Sequence, residues 1–298
     1  HIWPYLLINI ILLLIYLINM YCAICWKLSI DNNQQILNLI NISETKRTHI
    51  LNFKRFYHIK YNKKLYNDIK FNQWLAGLID GSGYFDLKKK TIPFLQITLS
   101  SEHYELLKII QNKYGGYIKY RAGHHSVRYT LFNINNIIII LNNINGNIRH
   151  TKRLTQYSKI CDKLDIKVKY PIKLDKNNKW YSGYFDALGT INYTFINNKP
   201  LLYINITELY YHDVIYLKYI FNGDIIYLKQ SNGLFKWEIY NIDNLLKFRY
   251  YNISDIKSYK FNRIKLINLY IKLYNLKAYN NDSIYNIYWK EFTRLWNK

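Results

Sequence analysis

Partway along this chain, one pattern of residues returns. NQWLAGLIDGSGYF at 72–85 aligns with NKWYSGYFDALGTI at 178–191, an offset of 106 residues. Further on, LLKIIQNKYGGYIKY (106–120) matches VIYLKYIFNGDIIYL (214–228), with Gly116 opposite Gly223. RYTLFNINNI (128–137) then matches KWEIYNIDNL (236–245). Three matches in one order at offsets of 106 to 108 mean that the chain carries two copies of a single unit, which restricts the fold before any other feature is weighed.

Within each copy the opening segment is helical, because Leu75, Leu78 and Ile79, and likewise Tyr181, Tyr184 and Phe185, fall at i, i+3 and i+4. Extended segments follow, PFLQITLSS (93–101) and LLYINIT (201–207). A helix comes next, near 102–114 and 209–221, ended by Gly115-Gly116 or Asn222-Gly223. Hairpins turn around residues 121–125 and 231–233, and closing helices rich in Ile, Leu and Lys complete the copies. The fold class is α+β: two pseudo-symmetric αββαββα repeats. The expected divisions are a hydrophobic leader at 1–26, a basic linker at 27–70, repeat 1 at 71–165, a linker at 166–177 and repeat 2 at 178–298.

The opening helices carry small residues on one face. Gly77 and Gly81 in the first, and Gly183 and Ala187 in the second, lie four apart and let another helix approach backbone to backbone. We expect the two helices to pack on each other, with Ala76, Gly77, Gly81, Ser182, Gly183 and Ala187 at the interface. The bulky residues then point into the two half-cores.

The bulk properties suggest a partner. Lys and Arg number 42 against 19 Asp and Glu, a net charge of +23, and such an excess points to a polyanion. The 32 Tyr, 13 Phe and 7 Trp supply both core and base-stacking surface. Abundant Ile, Asn, Lys and Tyr imply AT-rich codons, as in an organellar genome. Cys22, Cys25 and Cys161 are too few and too unevenly placed for a disulfide framework or a zinc site. No charged residue precedes Lys27, and YLLINIILLLIYLIN with its flanks is long enough for a membrane-spanning helix. The flank beyond it, Lys46 to Lys70, suits anionic lipid or phosphate equally.

Leu75-Ala76-Gly77-Leu78-Ile79-Asp80-Gly81-Ser82-Gly83, with the looser Tyr181 to Gly189 as its second copy, resembles the LAGLIDADG family of homing endonucleases and group I intron maturases in its single-chain, two-repeat form. The resemblance covers roughly 70–298. It implies motif helices paired on a pseudo-twofold axis, and two four-stranded sheets forming a saddle that grips nucleic acid. In the family's nucleases the eighth motif position is Asp or Glu in both copies, and the two carboxylates hold divalent metals beside the scissile phosphates. Paired metals stabilise the attacking and departing oxygens and require oxygen ligands.

Here the eighth positions are Ser82 and Leu188. Asp80 and Asp186, two residues earlier, are turned about 200° away on a helix and serve as weak alternatives, better read as structural hydrogen-bonding groups. Asp86 has no counterpart in the second copy. We therefore expect no catalytic residues and no metal, with Mg²⁺ needed only if residual nuclease activity exists. The resemblance then implies an intron-encoded maturase, a monomeric pseudo-dimer that binds group I intron RNA and promotes its splicing. Its setting is the mitochondrial matrix side, with inner-membrane association through 1–26 and a host splicing cofactor as further candidates. The alternatives are a Mg²⁺-dependent DNA endonuclease and a structural RNA-binding subunit of an organellar ribonucleoprotein. Candidate nucleic-acid contacts are Lys88, Lys89, Lys90, Lys119, Arg121, Arg128, Lys229 and Lys236; His124 and His125 sit in a turn and receive no metal role.

Overall fold

The structure, a computed structural model, describes residues 68–89, 91–231 and 233–297. The leader at 1–26, nearly all of the basic linker, Cys22, Cys25 and Lys90 lie outside the described residues. Among the described residues no helix is long and apolar enough to cross a membrane.

Repeat 1 runs α1 (Ile69–Ser82), β1 (Gly83–Lys88), β2 (Ile92–Ser100), α2 (Tyr104–Tyr114), β3 (Tyr117–Tyr120), β4 (Ser126–Leu131) and α3 (Ile134–Ile144), followed by α4 (Thr151–Lys163). Repeat 2 runs α5 (Trp180–Leu188), β5 (Thr190–Ile196), β6 (Lys199–Glu208), α6 (Tyr211–Phe221), β7 (Asp224–Leu228), β8 (Leu234–Ile239) and α7 (Ile242–Asn252), followed by α8 (Lys260–Asn275) and α9 (Asn286–Trp296). The αββαββα order is present twice. The appended helices α4, α8 and α9 extend it, because each copy's β1-type strand presents a further apolar edge: Phe85 packs edge-to-face with Tyr157 of α4, and Tyr193 packs against Trp289, Phe292 and Trp296 of α9.

Each repeat forms one antiparallel sheet, ordered β1-β2-β4-β3 and β5-β6-β8-β7. Between their ends the central strands β2 and β6 alternate buried and half-exposed residues, so one sheet face meets helices and, among the described residues, the other does not. On the inner face of sheet 1, Leu95, Ile97, Val127 and Tyr129 pack with Leu106, Leu107, Ile110 and Ile140; sheet 2 repeats this with Ile204, Ile206, Trp237, Leu217, Phe221 and Phe248. Local signals recur with the repeat. Asn133 and Asn241 each cap a closing helix through the side-chain oxygen, accepting from Asn136 N and Asp243 N. The chain turns from α2 into β3, and from α6 into β7, through pairs of left-handed residues. At the second of each pair, Gly116 or Gly223, a Cβ would strike the Thr130 or Glu238 carbonyl.

The two repeats meet through α1 and α5. A Cβ on Gly77 would overlap the Trp180 carbonyl oxygen and lie 2.8 Å from Tyr184 N; one on Gly183 would overlap the Trp74 carbonyl oxygen and lie 2.9 Å from Leu78 N. The clashes are reciprocal and fall on backbone, which cannot yield without moving a helix. A Cβ on Gly81 would instead meet side chains, Ala187 Cβ and Leu188 Cγ. Ala76 is buried, but the Ser182 hydroxyl, expected at this interface, instead donates to Asn252 Oδ1 at the end of α7. Gly183→Ala should therefore destabilise the fold by at least about 2 kcal/mol, since overpacking outweighs the roughly 1 kcal/mol that alanine adds to helix propensity. A denaturant titration showing a raised midpoint would contradict this packing.

Candidate functional site

The last residues of α1 and α5 are Ser82 and Leu188, and they stand together at one cleft of 430 Å³. Repeat 1 adds Thr98, Ser100, His103 and Ser126 to the lining; repeat 2 adds Thr190, Tyr259 and Lys260. Lys260, the first residue of α8, is buried and donates from Nζ to the Phe185 and Asp186 carbonyls at 3.1 and 2.9 Å. These are last-turn carbonyls of α5, so the ammonium satisfies acceptors the helix leaves open and faces its negative dipole end. Burial depresses the Lys260 pKa to about 8.

His103 lies across the cleft with Nδ1 2.8 Å from Ser100 Oγ and its ring edge-on to Tyr259. Burial, reinforced by the Lys260 charge, lowers its pKa to about 4, so the imidazole is neutral at pH 7. The lining thus offers hydroxyls, one neutral imidazole and one ammonium. The carboxylates that act on Lys260 are Asp186 and Glu102, and neither is among the lining residues; Glu102 is exposed and accepts from Ser100 Oγ. A hard divalent cation requires several oxygen ligands, preferably anionic, and is repelled by an ammonium. This donor set does not fit the metal that the family resemblance implies. Among the described residues no His, Cys, Asp and Glu group has a metal-holding arrangement.

Asp80 and Asp186 are engaged elsewhere, although Asp80 Oδ1 is left without a hydrogen-bond partner. Asp80 Oδ2 accepts from Trp180 Nε1 at 2.7 Å and from Arg149 N at 2.9 Å. Asp186 Oδ2 accepts from Trp74 Nε1 at 2.8 Å and from Lys257 N at 2.9 Å, and its Oδ1 accepts from Ser258 N at 3.0 Å. Each carboxylate thus holds the tryptophan that opens the opposite motif and the backbone that leads into α4 or α8. The role is structural, as the residue spacing suggests, but it reaches across the helix pair rather than staying local. Burial raises the Asp80 pKa to about 6, against the lowering effect of the Arg149 and Trp180 hydrogen bonds, and raises Asp186 for the same reason. Asp86 is held by the Tyr84 hydroxyl at 2.6 Å.

A second buried polar knot joins the repeats. His150 Nε2 lies 3.3 Å from both Glu208 Oε1 and Asp213 Oδ2, while the Tyr184 hydroxyl donates to Glu208 Oε1 at 2.7 Å. Burial alone would lower the His150 pKa; the hydrogen bond and charge of Glu208, with Asp213, leave it raised.

The basic candidates separate into two groups. Lys88 and Lys119 are exposed on sheet 1, and Arg128 lies on the same strand ladder with Nε 3.2 Å from Thr98 Oγ1. Lys89 and Arg121 sit in turns beside the sheet, and Lys229 is exposed after β7. Lys236 differs from expectation: it is half-buried and bound to Glu238 at 3.0 Å, so its charge is neutralised within the protein. Lys260, His103 and His150 had no sequence signal, since each emerges only when segments far apart in the chain meet.

A family model described as LAGLIDADG endonuclease matches residues 75–164. The chain is 40% identical to the intron-encoded RNA maturase bI4 of Saccharomyces cerevisiae, an alignment that covers 90% of this chain and 47% of that protein. It is 30% identical to the intron-encoded DNA endonuclease ai2b of Dictyostelium discoideum, over 75% of this chain and 88% of that protein. This chain therefore spans about half the length of the first of these relatives. Among solved structures, the I-LtrWI LAGLIDADG homing endonuclease bound to target DNA superposes with a TM-score of 0.59 at 14% identity, covering 78% of this chain and 98% of that one. The likeness establishes a shared fold.

The Asp80 arrangement makes a signed prediction. Its folded pKa of about 6 exceeds the ordinary 3.8, so the folded state holds the proton longer and stability falls as pH rises from about 4 to 6. His103, with its lowered pKa, acts in the opposite sense over nearly the same window. The contribution of Asp80 is isolated by comparing wild type with Asp80→Asn, which should lose a pH dependence of about 3 kcal/mol, the equivalent of a two-unit shift. Asp80→Ala should cost about 2–4 kcal/mol at pH 4 by stranding the Trp180 and Arg149 N–H groups, and less as pH rises through the Asp80 titration. Chemical denaturation from pH 4 to 7 measures both.

Proposed function

Because this chain belongs to the LAGLIDADG endonuclease family, whose members include both RNA maturases and DNA endonucleases by name, we propose that it acts as an intron-encoded RNA maturase without DNA-cleaving chemistry. The observation that carries this reading is the donor set where the motif helices end: a hydroxyl, an isobutyl group and a capping ammonium in place of paired carboxylates. Without them, the described residues offer no carboxylate pair to place two cations on a phosphodiester.

A maturase requires binding rather than bond-breaking groups of its own. In group I splicing the RNA carries out the transesterifications, and the protein's part is to neutralise phosphates and hold the intron in its active shape. The +23 charge and the unpaired cations of sheet 1 supply the neutralisation. A-form helices expose a shallow minor groove and 2′-hydroxyls, so recognition falls on backbone shape and on unpaired bases. The two repeats in one chain let a monomer present both sheets. We assign it to the mitochondrial matrix from its AT-rich residue usage and its intron-encoded relatives.

DNA cleavage is the second reading, supported by the DNA-bound endonucleases that share the fold. The two separate in one experiment, with the full chain and Mg²⁺ offered intron-containing RNA and intronless DNA. The expected outcome is accelerated splicing with intact DNA; a site-specific double-strand break would overturn the maturase assignment. RNA affinity should also fall roughly 10³-fold or more between ~50 and ~200 mM salt if six or more phosphates are contacted.

A further inference from the structure

The two sheets are built on the same ladders but present different chemistry on their uncovered faces. On sheet 1, four rings form a row across all four strands: Tyr84 on β1, Phe94 on β2, Phe132 at the end of β4 and Tyr117 on β3. Successive ring centroids are 5.9, 5.6 and 6.1 Å apart. The outer two are open to solvent, Tyr84 at 38% and Tyr117 at 40% exposure, while the phenylalanines between them are half-buried. Cations stand over the row, with Lys88 Nζ 5.0 Å from the Phe132 centroid and Lys119 Nζ 5.3 Å from that of Tyr117.

Strand register identifies the equivalent stations on sheet 2. Tyr84 pairs with Gln96 as Thr190 pairs with Asn205, and Tyr117 pairs with Thr130 as Asp224 pairs with Glu238. By the same count Lys88 corresponds to Thr194 and Lys119 to Ile226. Both exposed rings and both exposed cations are therefore missing from the equivalent stations of the second sheet. In their place are Thr190, Asp224, Thr194 and Ile226; Asp224 accepts from the Tyr240 hydroxyl at 3.1 Å, and Glu238, paired opposite it, neutralises Lys236. A ligand held alike by both repeats would require like charges on both faces, and only the first face is net positive: Lys88, Lys119 and Arg128 stand against Asp86 there, whereas Lys199 and Lys236 are balanced by Asp224 and Glu238 on the second.

Exposed aromatic rings beside ammonium groups match one chemistry in particular. The flat face of a nucleobase is available for stacking only when the base is unpaired, since in a duplex it is covered by its neighbours. We propose that the uncovered face of sheet 1 is a binding platform for unpaired nucleotides of RNA, with bases stacked on Tyr84 and Tyr117 and the backbone phosphates on Lys88 and Lys119. Phe94 and Phe132 form the floor that holds the outer rings in place. This inference rests on the RNA-binding reading above and adds to it the strand state of the ligand and the repeat that receives it.

The test uses the full chain, a short unstructured single-stranded RNA, the same RNA annealed to its complement, and the intron RNA. Tyr84→Ser and Tyr117→Ser should each weaken single-strand binding about 5- to 100-fold, the range for losing one base–aromatic stack. Tyr84→Phe and Tyr117→Phe should restore it, and duplex binding should change little. Lys88→Met and Lys119→Met should instead lower the salt dependence, each by about one unit of slope. Tyr203→Ser, on sheet 2, serves as the control, and unchanged thermal melting excludes misfolding. If intron RNA binds but the serine variants match wild type on the single strand, the platform is refuted while the maturase reading stands. Equal losses on duplex and single strand also refute it, because the face then grips paired nucleic acid. If the wild-type chain binds no RNA at all, the underlying reading fails as well.

Discussion

The hydrogen bonds from each motif tryptophan to the opposite motif's aspartate are the constraint on which the rest of this structure depends. Trp74 to Asp186 and Trp180 to Asp80 cross the helix pair in both directions, inside a core from which water is excluded. A buried carboxylate is costly unless its oxygens are satisfied, so each aspartate fixes the groups that satisfy it. Those groups include backbone N–H donors of Arg149, Lys257 and Ser258, which lie just before α4 and α8. The close approach permitted by Gly77 and Gly183 makes the crossing geometrically possible. The same pinning sets the cleft: with Ser258 N held by Asp186, Lys260 two residues later is delivered to the carbonyls at the end of α5.

The two copies have diverged unevenly, and the pattern follows the physics. Features that hold the scaffold together occur in both: the tryptophan and aspartate of each motif, the small interface residues, the asparagine caps and the left-handed turns. Features that meet solvent differ. Where sheet 1 carries Tyr84, Tyr117, Lys88 and Lys119, the equivalent stations of sheet 2 carry Thr190, Asp224, Thr194 and Ile226, and Lys236 there is paired with Glu238. Interior positions tolerate little change because a lost partner or an added methyl group is felt at once, whereas an outward residue can be exchanged at small cost to stability.

Much of this was legible from the chain itself. The offset of 106 to 108 residues, the i, i+3, i+4 spacing and the paired small residues specify two αββαββα units joined by their opening helices, and the structure has that order. The eighth motif positions can be read off directly because a helix fixes its register once its face is known. What escaped the sequence depends on contacts between distant segments. Lys260 is one lysine among many in a basic stretch, and only the loop geometry imposed by Asp186 distinguishes it. The neutralisation of Lys236 requires knowing that Glu238 shares its strand face. The aromatic row on sheet 1 likewise has no linear signal, since its four rings come from residues 84, 94, 117 and 132 and are neighbours only through strand pairing. The appended helices have no separate signal, because closing segments rich in Ile and Lys give no boundary between one helix and the next.

Replacing two carboxylates at the tips of adjacent helices has a consequence for the scaffold itself. An acid at a helix C-terminus opposes the dipole of that helix, and two such acids at one crossing repel each other; a bound cation is what offsets both effects. Ser82 and Leu188 place no charge at these positions, and Lys260 supplies an ammonium to the open last-turn carbonyls of α5. The helix pair is thereby freed from any need for an ion to hold its ends together. On the proposed reading this is what a binding protein derived from a cutting fold requires: the interface that positions both sheets remains intact, and the cleft at its end is stabilised by a side chain the protein makes for itself.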